Sequence, residues 1–103
     1  MRNIDLSRLI TTEAKAAAAV AAAGFAAKAE CRARIFAVVD EIAQINLAAA
    51  AAADRLNPVD LATYRAGLDW IQAMRVAYLT QEPGADVNWP PVPEGMAELA
   101  AQF

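Results

Sequence analysis

Ala16–Ala23 reads AAAAVAAA and Ala48–Ala53 reads AAAAAA, and both lie in Thr12–Leu56, a stretch of 45 residues without proline and with one glycine, Gly24. Alanine is the strongest helix former, because it loses no side-chain entropy and hides no polar group. It is also the weakest core former, with one methyl to bury. The stretch is therefore firmly instructed to be helical and poorly instructed what to pack against. One continuous helix of this length would reach about 67 Å at 1.5 Å per residue. A compact domain of 100 residues has a radius of gyration of about 13 Å. The expectation is a rod that offers a face to a partner.

Composition supports that expectation. Of the 103 residues 58% are apolar, but 28 are alanine, so about thirty larger apolar side chains are left to build a core. They gather in Ile35–Leu47 and Leu56–Leu79. Oligomerisation or a host protein would relieve the shortage. The net charge is −3, and Lys28, Arg32 and Arg34 are interrupted by Glu30. No basic stripe for nucleic acid is expected, and Glu30–Arg34 reads as an i,i+4 surface pair. The single cysteine, Cys31, permits no intrachain disulfide; its helical spacing to Ile35 and Val38 reads as packing, in keeping with synthesis in a reducing compartment. Asp5, Glu13 and Lys15 interrupt what would otherwise resemble a secretion signal. No membrane-spanning helix is expected.

Three segments emerge along the chain: an N-terminal arm (1–10), a helical hairpin (11–80) and a Pro-rich tail with a short terminal helix (81–103). Met1–Ile10 places Ile4 and Leu6 among polar neighbours and reads as a short strand or extended arm able to add to a partner's sheet edge. Thr11 or Thr12 would cap the long helix, with Glu13 in its first turn. In the first half of that helix the larger apolar residues are Val20 and Phe25. From Cys31 onward, Cys31, Ile35, Val38, Ile42, Ile45, Ala49, Ala52 and Leu56 step 4-3-4-3-4-3-4, a heptad seam. Asn57-Pro58 is the clearest punctuation: Asn57 suits an N-cap, Pro58 the first helical position, and Asp60 the helix start. A second helix should run to about Thr80 and fold back antiparallel, leaving the alanine-rich first half uncovered. The expected class is thus all-α, an αα-hairpin built on a long Ala-rich helix. Val87–Gly95 (VNWPPVPEG) favours extended geometry, and Met96, Leu99 and Phe103 resume a helical pattern.

Chemistry-bearing patterns are scarce. With no histidine, neither a Ser-His nor a Cys-His pair nor an imidazole metal site can form. The four glycines are scattered, so no phosphate loop is formed. No catalytic, cofactor-binding or metal-binding residue is assigned, and no enzyme is expected. Trp89-Pro90-Pro91-Val92-Pro93 stands out instead. It suits either docking on the protein's own Trp70 or Tyr64, or a partner's aromatic groove.

Tyr64-Arg65-x-x-Leu68-x-Trp70-Ile71-x-x-Met74-Arg75, followed by Val87-Asn88-Trp89-Pro90-x-x-Pro93, resembles the C-terminal end of tail fibre assembly proteins of tailed phages. The alanine-rich front with Glu41–Asn46 (EIAQIN) also resembles small proteins encoded among phage tail genes. The resemblance implies binding: a fibre-assembly chaperone or a small virion subunit held on an oligomeric tail component. It implies a homo- or hetero-oligomer in the host cytoplasm during assembly, or one retained in the virion tail. Tyr64, Arg65, Trp70, Trp89, Pro90 and Pro93 would form its docking or packing module. With Ile4, Leu6, Val20 and Phe25 they make up the expected partner-binding set. The alternative is an amphipathic surface coat similar to the phasins of bacterial storage granules.

Overall fold

A computed structural model describes the backbone of residues 2–82 and 85–103, with side chains from Thr12 onward. The fold is all-α, with four helices: α1 (Arg2–Val38), α2 (Glu41–Ala52), α3 (Pro58–Thr80) and α4 (Met96–Ala100). There is no strand among the described residues.

The segment expected as a strand or arm is instead the start of α1, which begins at Arg2 and passes through Thr11 and Thr12 without a cap. The alanine run supplies a helix nucleus, after which each further residue adds a hydrogen bond for one residue fixed. Two mid-helix threonines cost only a few tenths of a kcal/mol each against that. The side chains of Ile4 and Leu6 lie outside the described residues.

The expected single long helix is two helices, bent by 62° at Val39–Asp40. Asp40 takes an extended backbone (φ −68°, ψ 172°) and its carboxylate accepts the Ala43 N–H at 2.7 Å, which caps α2. Glu41 follows in the first turn, where a negative charge suits the helix dipole. The Gln44 side-chain amide donates to the Val39 carbonyl at 3.0 Å, so a backbone acceptor freed by the break is satisfied.

The bend overturns the heptad seam beyond Ile35. The buried residues are Cys31, Ile35, Val39, Ala43 and Leu47, every fourth position, while Ile42 and Ile45 are 63% and 58% exposed. The second helix segment also ends sooner than Leu56. Ala53 closes α2, and Asp54 adopts a left-handed conformation (φ 56°). Asp54 N–H bonds to the Ala51 carbonyl (3.1 Å) and Arg55 N–H to that of Ala50 (2.8 Å), the reciprocal pattern of a Schellman cap. The turn brings Leu56 into the core.

α3 matches expectation at both ends. Asn57 Oδ1 accepts the Asp60 N–H at 2.8 Å, Pro58 sits in the first turn, and the helix stops at Thr80. It runs antiparallel to α1: Tyr64 lines one cavity with Val39 and Leu47, and Tyr78 lines another with Lys28 and Cys31. Trp70 and Met74 are its buried anchors. α4 then lies across the bundle and buries Met96, Leu99 and Ala100. Gly67 makes room for it, since a Cβ there would strike the Met96 thioether. Asn46 fixes the last residue by donating to the Phe103 carbonyl at 2.9 Å.

The molecule measures 73 × 22 × 17 Å with a radius of gyration of 20.1 Å. It is a rod with its core at one end. From Thr12 to Glu30, α1 is exposed except at the half-buried Ala23 and Ala27.

Candidate docking surface

The Trp-Pro tail is docked on its own hairpin. The Trp70 indole N–H, on a side chain only 5% exposed, donates to the Pro90 carbonyl at 3.1 Å. Trp89 reaches across to α1, where its indole N–H donates to Glu30 Oε2 at 2.9 Å. Arg34 lies over the Trp89 ring, 5.1 Å from its centre, and is 3.8 Å from Glu30. Glu30, Arg34 and Trp89 thus form a closed clasp, in which each touches the other two. A cation–π contact at such an exposed site contributes about 0.5–1 kcal/mol. The Pro93 carbonyl accepts the Met96 N–H at 3.2 Å and leads the chain into α4. Gly95, at φ 82°, makes the turn just before it.

The residues of the tail motif therefore come together, but as internal packing. Trp70 is buried, Tyr64 and Trp89 pack against the core, and Pro90 and Pro93 are half-buried. Arg65 points outward, apart from this cluster.

Val20 and Phe25 stand elsewhere, on an open groove where α1 leaves the hairpin. Val20 is 53% exposed and Phe25 76%. The far wall is the end of α3 and the chain after it, with Tyr78, Leu79 and Val87, around a space of about 440 Å³. Gly24 forms part of the floor, with nothing within 4 Å of where its Cβ would be. Leu79 (70% exposed) and Val87 are missing from the sequence-based set. The signal for Leu79 was the adjacent pair Tyr78-Leu79: neighbours about 100° apart on a helix cannot both face α1.

The surface offers apolar contact and little chemistry. No polar or charged side chain is buried among the described residues. Nor does any group of three or more His, Cys, Asp or Glu there have the arrangement to hold a metal ion. Burial pushes the Cys31 thiol above its ordinary pKa, and the Arg75 guanidinium partly offsets this. No single helix is long and apolar enough to cross a membrane; α1 from Thr12 and α2 reach that length and composition only together, across their 62° bend. Comparison with protein-family models, curated proteins and solved structures finds no match to this chain.

Proposed function

We propose that this chain is a non-enzymatic phage tail-associated protein, a fibre-assembly chaperone or small virion subunit. In this reading it docks on an oligomeric tail component through the uncovered half of α1. The observation that carries the reading is the 76% exposure of Phe25 beside Val20 and Leu79, on a helix with a packed core at only one end. Other large apolar side chains, such as Val59 and Ile42, are exposed singly, whereas Val20, Phe25 and Leu79 line one groove, and an apolar cluster of this kind marks a contact surface. The alanines before it, Ala16–Ala23, let a partner helix approach closely. The order of the Tyr64–Arg75 and Val87–Pro93 motifs supplies the phage assignment.

A photo-crosslinking residue in place of Val20, in chain produced during phage assembly, tests the reading. Adducts to a tail or fibre protein are expected, and they should vanish when Ala17 and Ala21 are both changed to Glu. Adducts equally strong from Val59, 75% exposed and away from the groove, would sink the proposal. Recruitment of the chain to lipid-coated granules, in place of tail adducts, would favour the phasin-like coat.

A further inference from the structure

A second groove lies alongside, between α1 and α3, with a volume of about 340 Å³. Phe36, Ile71 and Tyr78 contribute apolar surface, and Lys28, Arg32 and Arg75 bring three cations to it. No carboxylate lines it. Lys28 and Arg32 are one helical turn apart and share a face of α1, whereas Glu30, between them in sequence, projects about 200° away. There Glu30 is engaged by Trp89 and Arg34. Arg75 arrives from α3. The only ion pair among the described residues is Arg34–Glu30, so none of the three groove cations is held in an ion pair. Arg32 is stacked instead on Phe36, 5.7 Å from the ring centre.

In a chain of net charge −3, three cations outside any ion pair around one apolar groove are a local reversal of sign. We propose that this groove binds an acidic amphipathic helix of a partner protein. The ligand would seat an aliphatic or aromatic side chain against Ile71 and Phe36 and set carboxylates, one turn apart, against Lys28, Arg32 and Arg75. Opposed charges of this kind steer encounter and fix register. A polynucleotide fits less well: three phosphate contacts release few counterions, and phosphates make no use of the apolar floor. Lys28 and Tyr78 also line the Val20–Phe25 groove, so the two surfaces adjoin, with Glu82 on the Val20–Phe25 side and the cations on the other. The inference rests on this geometry and does not depend on the phage assignment.

The test is an amide-shift titration of the full ¹⁵N-labelled chain with three helical peptides of equal apolar content, carrying Glu, Gln or Lys at their polar positions. The Glu peptide is expected to move the Lys28, Arg32, Ile71 and Arg75 amides, with affinity at least tenfold above the Gln peptide. The pair Lys28→Glu and Arg75→Glu should lower that affinity at least tenfold, whereas Arg55→Glu, outside the groove, should leave it unchanged. Equal response to the Gln or Lys peptide, no shift at millimolar peptide, or tighter binding of a single-stranded oligonucleotide at the same amides would each overturn the proposal.

Discussion

Cys31 shows what one small side chain does in this fold. It is 2% exposed and begins the stripe that continues through Ile35 and Val39. Burial raises its thiol pKa, so the folded state holds the proton more tightly than the unfolded chain. The resulting stability is fully present below the ordinary thiol pKa of 9.0 and is lost as pH rises through the higher folded value. Alkylation at pH 8 should accordingly be slow in the native chain and fast in urea; equal rates would place Cys31 at the surface. Gly24 carries the opposite lesson. It marks neither a break in the helix nor a close approach within the chain, since α1 continues through it with open space at its Cβ. Gly24→Ala should therefore raise helix content and stabilise the helix locally by about 0.8–1 kcal/mol, read as stronger far-ultraviolet circular dichroism and a higher midpoint of its melting. A fall in either would mean that a neighbour already presses on that position.

Among the elements, the capped ends carry the clearest physics. Asn57-Pro58-x-Asp60 states the start of α3 in three residues, and it was legible because each satisfies a separate requirement of a helix N-terminus. The start of α2 was written as plainly, in Asp40 with Glu41 beside it. It was masked because neither proline nor glycine flanks Asp40 and the heptad spacing ran across the break. Exposure of Ile42 and Ile45 is the cost of choosing the cap over that seam. Replacing Asp40 by Ala should lower stability by about 1 kcal/mol in urea unfolding and favour a straighter α1–α2; unchanged stability would show that packing alone sets the bend. The docking of α4 was less legible, because a five-residue helix is too short to show a period. It depends on Gly67 admitting Met96. Gly67→Ala should destabilise the protein by roughly 1 kcal/mol or more, overpacking outweighing the gain in helix propensity. In a Met96→Ala background the same change should become neutral or stabilising. Equal effects in both backgrounds would separate the two residues.

As a whole, the molecule divides into a packed end and a bare half-helix, a division visible in the sequence as 25 large apolar residues placed after Glu30 and two, Val20 and Phe25, between Thr12 and Glu30. The self-docked tail could not be read there. Whether Trp89 meets its own chain or another's depends on Glu30 and Arg34 being 59 and 55 positions away in sequence yet adjacent in space. For that reason Trp89→Ala cannot separate partner docking from self-docking, and Val20 and Phe25 are the informative positions. The central claim is that α1 from Thr12 to about Ala26 is held by intrinsic propensity, awaiting cover, while Cys31–Val39 is held by the core. Isolated helices of this length are marginal in water even when rich in alanine. Amide hydrogen exchange along α1, at a concentration where the chain is monomeric, tests this most directly. Amides of residues 12–26 should exchange orders of magnitude faster than those of 31–39. Uniform protection along the whole of α1 in the free monomer would contradict the account.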